Sequence, residues 1–311
     1  MASDSVIEIR GLTKTYGAGR KATLALSQLD LTVKRGEIFG YLGPNGAGKT
    51  TTIRLLLDLI RPSAGSAKIF GLDIRADSVE IHRRIGFLPG ELNLWEGRTG
   101  EQIINYVASV RGDSRGIVKH ADELAERLDL DTSKRVRDLS SGNKRKLGLV
   151  ISMMHSPELL ILDEPTGGLD PLVQQTFHEM MDEYRAKGKT VFLSSHVLSE
   201  VQAICDRVGI LRDGEVKAVE SVDKITTVDF HWVDVVFRDS LPAGLPQQLE
   251  RISTITDVST NGARVRMRMV GDFDPLLRAI SNGYVEMLHI EEPSLEEIFL
   301  AFYSGDEEPA K

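Results

Sequence analysis

The sequence predicts an α/β fold: a mainly parallel sheet with helices on both faces, an antiparallel β section beside it, and a small α+β module of ferredoxin-like order at the C-terminal end. Three observations predict it. The string GPNGAGKTT, from Gly43 to Thr51, stands between an apolar strand and a helix. Three short apolar segments, LLIL (159–162), TVFLS (190–194) and RVGILR (207–212), follow with helical stretches between them, which is the alternation of a parallel sheet. From about Val228 the pattern changes to short alternating strands separated by two short helices.

The elements follow in order. VIEIRGL and LALSQLDLTV alternate apolar and polar residues, as strands do, and with SAKIFGL they suggest the antiparallel section. EIFGYL (37–42) reads as a buried strand entering the glycine-rich loop, and KTTTIRLLLDLI (49–60) as the helix leaving it, closed by Pro62. Residues 99–111 read as a helix, with Thr99 and Gln102 spaced as a capping box. Residues 116–130 read as another helix. KRKLGLVISMMH is helical behind the turn LSSGNKRK (139–146). Pro171 fits the first turn of the helix PLVQQTFHEMMDEYRAK, with Gly188 just past its end. HVLSEVQAICDR predicts a helix that buries Cys205.

Beyond Val228, VDFHWVDVVF, TITDVST, ARVRMRMV and VEMLHI read as strands, LPQQLERI and DPLLRAIS as helices. An Asn261–Gly262 turn marks a hairpin. Ala263, Val265, Met267 and Met269 alternate with Arg264, Arg266 and Arg268, giving one apolar and one basic face. A final helix, SLEEIFLAFY, carries a capping box at Ser294 and Glu297. The expected domains are 1–224, which carries the glycine-rich loop, and 225–304, the accessory module, with 305–311 a loose tail.

Composition narrows the class. The chain has 311 residues, 41% hydrophobic and 27% charged, enough for two ordinary globular domains. Its net charge of −8 argues against a nucleic-acid surface, which needs a basic face. One cysteine allows no intramolecular disulfide, which suits a reducing compartment. MASDSVIEIRG has an early acidic residue and no apolar core, so no signal peptide is expected. LGLVISMMHSPELLIL, the richest apolar stretch, is broken by Pro157 and Glu158 and falls short of the ~18 residues of a membrane helix. A membrane function would need another chain to cross.

The chemistry concentrates in a few strings. GPNGAGKTT fits G-x-x-x-x-G-K-[ST], a loop whose backbone N–H groups wrap phosphates. Gly43, Gly46 and Gly48 admit the inward bend, Asn45 and Ala47 complete the loop, and Thr51 follows it into the helix. The helix start adds unpaired N–H groups, Lys49 a full positive charge near the terminal phosphates, and Thr50 a hydroxyl that can ligate Mg²⁺. LLILDEP (159–165) is an apolar strand ending in two carboxylates. Asp163 is placed for Mg²⁺, and Glu164 for orienting and deprotonating a water. In LSSGN, Ser140, Ser141 and Gly142 open a helix and form an anion-binding surface or a plain helix cap. His196, just after a strand, is a candidate for a terminal phosphate. Asp170 in GGLDP caps its helix, and Tyr16 in LTKTYG is a candidate for stacking on adenine. A phosphate loop alone fits a kinase, a GTPase, a helicase or a transporter motor.

Taken in this order, the strings resemble the ATP-binding cassette family over about the first 220 residues. Tyr16 matches the A-loop, Gly43 to Thr51 the Walker A loop, LSSGN the signature, LLILD the Walker B strand, Glu164 the catalytic glutamate, GGLD with Asp170 the D-loop, and His196 the switch histidine. The resemblance implies a P-loop ATPase that uses ATP and Mg²⁺ and dimerises head to tail. Each ATP is then held between one copy's Lys49 and the other's Ser140 to Gly142. GNKRKLGLVISMMHSPELLILDEPTGGLDP and IGFLPGELNLW are similar to the daunorubicin-resistance type of drug and antibiotic exporters. That subgroup implies a polytopic membrane permease as partner, a cytoplasmic membrane face as location, and no nucleic acid.

Two motifs depart from the family pattern. Gly90 stands where a glutamine follows Pro89, so either Glu91 or a water takes its part; the signature is LSSGN rather than LSGGQ, with Ser140 and Gly142 kept. Leu92, Leu94 and Trp95 are candidates for docking a membrane partner's helix. The rival readings are a non-transport cassette ATPase acting on ribosomes or DNA, and an inactive cassette that senses ATP. A GTPase is disfavoured by the missing N-K-x-D string.

Overall fold

The computed structural model describes residues 4–17, 19, 22–112, 114–226, 230–291 and 293. The chain divides into two compact units, Met1–Val222 and Asp223–Lys311. The expected helix from Ser294 and the 305–311 tail lie outside the described residues.

In chain order the first unit has β1 (Ser5–Tyr16), β2 (Thr23–Lys34), β3 (Ile38–Leu42), α1 (Lys49–Leu56), β4 (Ala64–Ile69), β5 (Leu72–Asp73), α2 (Ser78–Arg84), β6 (Ile85–Leu88), α3 (Gly100–Arg111) and α4 (Ser114–Arg127). It continues with α5 (Ser141–Met153), β7 (Leu159–Asp163), α6 (Pro171–Ala186), β8 (Thr190–Ser195), α7 (Leu198–Ile204), β9 (Arg207–Arg212) and β10 (Glu215–Ser221). The short α8 (Val222–Thr226) follows.

Two sheets build this unit. An antiparallel sheet runs β2-β1-β4-β5, and a second runs β10-β9-β3-β8-β7-β6. In the second, β9, β3, β8, β7 and β6 are parallel neighbours, and β10 returns antiparallel along β9. The parallel strands are buried on both faces, so they read as continuous apolar runs rather than as alternation. Phe39, Tyr41, Ile161 and Phe192 share one core with Ile53 and Leu56 of α1 and with the antiparallel sheet. On the opposite face, a Cβ on Gly40 would lie 2.7 Å from Val201 of α7, so that helix packs directly on β3. The carboxyl ends of β3, β7 and β8 lie side by side, with Leu42 opposite Ser195 and Asp163 opposite Ser194. Open α/β sheets bind their ligands at that edge.

Several elements end differently from the expectation. α1 stops at Leu56 rather than Ile60, because Asp58 takes a left-handed φ of 53° and its carboxylate accepts Arg61 at 2.6 Å. α4 runs from Ser114 to Arg127 rather than 116–130; Asp129 has a φ of 50°, which ends the helical path. Cys205 closes α7 as its C-terminal cap and is buried.

The second unit has β11 (Phe230–Phe237), α9 (Leu245–Glu250), β12 (Ile255–Asn261), β13 (Arg264–Val270), α10 (Asp274–Ile280) and β14 (Val285–Glu291). Its strands form one antiparallel sheet in the order β12-β13-β11-β14. Val233, Val235, Val265, Met267 and Met269 pack under Leu245, Leu249, Leu276 and Ile280 of the two helices. The hairpin turns one residue later than expected. Asn261 pairs with Arg264, so Gly262 and Ala263 form the loop, and Gly262 takes the positive φ of 60° at its first position, as a glycine-first hairpin allows. The basic stripe is paired: Arg264 and Arg266 reach the buried Asp234 at 2.8 and 3.3 Å, and Arg268 lies 4.0 Å over the Phe230 ring.

Candidate functional site

The phosphate loop joins β3 to α1. Gly46 and Gly48 take φ of 84° and 113°, values that L side chains rarely adopt. Gly48 also lacks room: a Cβ would lie 2.7 Å from Leu26 and 2.9 Å from the Ala25 carbonyl. Asn45 and Gly46 are exposed at the loop's crest, whereas Ala47 and Lys49 are buried. The Lys49 Nζ donates to the Gly43 carbonyl at 2.6 Å and lies 3.3 Å from Glu164 Oε1. Thr51 is half-buried on α1.

Asp163 ends β7 and is buried. Its Oδ2 accepts the Thr50 hydroxyl at 2.9 Å, and its Oδ1 accepts Ser194 Oγ at 2.5 Å. Glu164 follows with a φ of 52°, a left-handed conformation that costs a non-glycine residue roughly 1–3 kcal/mol and clusters at functional sites. Two groups of one residue fix it there: its N–H points at the Ser194 carbonyl, 3.2 Å, and at Ser194 Oγ, 3.1 Å. The Glu164 carboxylate spans Lys49 and His196, whose Nδ1 donates to Oε2 at 2.8 Å. The structure thus brings Lys49, Thr50, Asp163, Glu164 and His196 into one cluster.

Ser140, Ser141, Gly142 and Asp170 form a second cluster. Ser140 caps α5, its Oγ accepting Asn143 N–H at 3.3 Å. Asp170 caps α6, accepting Val173 N–H at 3.0 Å. The two turns touch closely, since a Cβ on Gly142 would lie 2.8 Å from the Gly168 carbonyl. They open on a polar cleft of about 560 Å³, lined also by Lys134 and Lys146, and no residue of the first cluster lines it. Tyr16 stands apart from both, 39% exposed at the end of β1 with Lys14 Nζ 5.0 Å over its ring.

Four residues escaped sequence reading: Ser194, Thr166, Glu200 and Arg145. Glu200 accepts Thr166 Oγ1 at 2.5 Å and Ser195 Oγ at 2.7 Å, so it ties the segment after Glu164 to the segment before His196. Arg145 is buried in α5 and donates to backbone carbonyls of two segments. Burial pulls its pKa down, while the charges of Asp163 and Glu164 push it up; an arginine stays protonated throughout. Arg145 is the middle of three consecutive cations, Lys144 to Lys146, so the sequence does not single it out. Gly90 is exposed, and a Cβ there would lie 3.1 Å from Asp163 Oδ2. Of the candidate docking residues, Leu92 and Leu94 are half-buried, with Leu92 leaning over Gly148. Trp95 is 55% exposed and stacks edge-on against Tyr106.

A loop that presents N–H groups and a lysine binds phosphates, and a carboxylate beside a hydroxyl suits a hard cation. Among the described residues no cage of His, Cys, Asp and Glu converges. Thr50 and Asp163 fit Mg²⁺, which takes one or two protein oxygens beside phosphate oxygens and water.

Fold and site together define a P-loop nucleotide-binding ATPase. The family model described as "ABC transporter" matches residues 26–167. The bacitracin transport ATP-binding protein BcrA of Bacillus licheniformis is 33% identical, over 97% of this chain and 98% of the relative. The daunorubicin resistance ATP-binding protein DrrA3 of Streptomyces coeruleorubidus is 34% identical, over 99% of each. A solved ATP-binding subunit of an ABC transporter is 32% identical and covers 72% of this chain and 92% of its own, at a TM-score of 0.65. The dimeric structure of MJ0796, a bacterial ABC transporter cassette, is 25% identical and covers 70% of this chain and 98% of its own, at a TM-score of 0.64. The chain belongs to the ABC transporter family, as an ATP-binding subunit with ATPase chemistry. The resemblance read from its motifs, including the drug and antibiotic subgroup, is borne out by these relatives. No helix among the described residues is long and apolar enough to cross a membrane.

Proposed function

We propose that two copies of this chain bind two ATP molecules head to tail and drive a separate membrane permease that exports a drug, antibiotic or lipid-like compound. One observation carries the reading: phosphate-binding groups are split into two clusters, and the cleft at Ser140–Gly142 contains none of Lys49, Thr50, Asp163, Glu164 or His196. A second copy facing the first brings one copy's cleft to the other's phosphate loop. The dimeric cassette among the structural relatives and the transport and resistance names of the curated ones support this.

In the proposed mechanism Tyr16 stacks on adenine, the Gly43–Thr51 N–H groups and Lys49 hold the phosphates, and the partner's Ser140 and Gly142 close on the γ-phosphate. Thr50 and Asp163 would hold Mg²⁺, which supplies neutralising charge on the phosphate oxygens when bound. Glu164 takes a proton from the attacking water as its oxygen bonds to the γ-phosphorus, and the bond to the β-phosphate oxygen breaks to leave ADP and phosphate. His196 holds the Glu164 carboxylate through Nδ1 and meets the γ-phosphate with its other nitrogen. Each preorganised donor removed slows turnover roughly 10²–10³-fold. The cleft of 850 Å³ lined by Trp95, Arg98, Gln102, Asn105 and Tyr106 is the permease docking surface in this reading.

The test is Glu164→Gln in the full chain. It should bind ATP with wild-type affinity, lose turnover, and accumulate as an ATP-dependent dimer in size-exclusion chromatography with light scattering. Full ATPase activity would remove Glu164 as the base. Purification from native membranes with a polytopic chain attached supports the exporter, and recovery with ribosomes or DNA contradicts it.

A further inference from the structure

Arg145 is 5% exposed, and no carboxylate oxygen is among its hydrogen-bond partners; it donates to backbone carbonyls instead. Nε reaches the Pro165 carbonyl at 3.3 Å. Nη1 reaches the Pro89 and Gly90 carbonyls at 2.7 and 3.1 Å. Nη2 reaches the Asp163 carbonyl at 2.9 Å and also the Glu164 carbonyl. A guanidinium has five N–H groups in a fixed planar fork, and here each has a carbonyl to meet. Three segments converge on the fork: the loop after β6, the exit of β7, and α5 itself, which begins at the Ser140 cap.

Gly90 explains why the backbone does this work. It has no side chain, and a Cβ would press within 3.1 Å of Asp163 Oδ2. The loop therefore has no side chain of its own at this position with which to grip the end of β7. Its grip runs through two carbonyls to Arg145, and from Arg145 through three more to residues 163–165. Glu164 sits in a left-handed conformation between Asp163 and Pro165, so the fork braces both of its flanks.

We propose that Arg145 is the positioning residue of this site: it locks the 89–90 loop, the end of β7 and the signature helix into one unit and keeps the Glu164 carboxylate aimed at its water. The proposal rests on Glu164 acting as the base. It adds that the signal from the loop beside Trp95 reaches the base through a guanidinium rather than through a glutamine at position 90.

The experiment compares full-length wild type, Arg145→Lys, Arg145→Met and Glu164→Gln in steady-state ATPase assays, with melting curves and hydrogen exchange on each. Lysine keeps the charge but replaces the planar fork with a point charge that cannot bridge three segments. The expected result for Arg145→Lys is a folded chain whose kcat falls by about 10-fold or more, since misplacement by about 1 Å can cost up to about 10²-fold. KM for ATP stays within about twofold. Amide exchange at Gly90 and Glu91 and at Glu164, Thr166 and Gly167 rises together. If Arg145→Met does not fold, Arg145→Lys alone decides. A wild-type kcat in Arg145→Lys, a KM that rises in step with the loss of kcat, or faster exchange in one segment alone overturns the proposal. Glu164→Gln separates the two readings: if it keeps full turnover, the base is misassigned whatever Arg145 does.

Discussion

Gly48 shows how tightly single residues are specified here. With a φ of 113° and a Cβ site 2.7 Å from Leu26, Gly48→Ala should destabilise the chain by about 1–3 kcal/mol and weaken ATP binding, read by melting curves and a fluorescent-nucleotide titration. A second residue sets an acid limit. Burial lowers His155 to about 4, with Arg111, Lys189 and His120 adding to the effect; its Nε2 donates to the Ile85 carbonyl at 2.9 Å. Its folded pKa lies below the ordinary value of about 6.5, so its contribution to stability is present above 6.5 and is lost as pH falls toward 4. Between pH 7.5 and 5 this removes about 1–2 kcal/mol. His155→Leu should therefore melt with a shallower dependence on pH than wild type over that range. The residue scale was legible where chemistry is written in side-chain types and spacing, as in GPNGAGKTT and LLILDEP. It was illegible where side chains serve the backbone: Ser194 fixes the Glu164 N–H, and Arg145 meets only carbonyls, so neither forms a recognisable pair in the sequence.

At the scale of elements, caps and candidate ligand groups coincide. Ser140 and Asp170 are N-caps, as the plain reading of their strings held, and the same turns line the polar cleft. A cap leaves the other N–H groups of its first turn available, so the two readings do not compete. Thr99 and Gln102 exchange both bonds of the expected capping box, and Thr99→Ala should lower stability by about 1 kcal/mol in a melting curve. Glu200 links two elements through Thr166 and Ser195. Glu200→Ala leaves the buried Thr166 hydroxyl unpaired and leaves Ser195 Oγ with only its bonds to Val197, so it should cost about 1–3 kcal/mol and reduce kcat while leaving KM for ATP near wild type; an unchanged melting point would show that the link is not structural. Strand identity was legible because buried parallel strands are continuous apolar runs. Helix ends were less so: Asp58 and Asp129 adopt left-handed φ, which stops α1 and α4 in ways that apolar periodicity does not record.

For the whole molecule, alternation of strand and helix specified the first unit, and the β-α-β-β-α-β order specified the second. The separation of the two clusters was not readable from spacing; only the family resemblance implied it. The signature turn follows the phosphate loop by about a hundred residues in sequence, and its place in a separate cleft appears only in three dimensions. The central claim is that this separation is repaired by a facing copy. It is tested most directly by a cryo-EM or crystal structure of full-length Glu164→Gln loaded with ATP and Mg²⁺. The predicted result is a two-fold dimer in which Ser140 and Gly142 of one copy lie within hydrogen-bonding distance of the γ-phosphate held by Lys49 of the other. A triphosphate bound at Lys49 with Ser140 to Gly142 of every copy remote from it would contradict the claim.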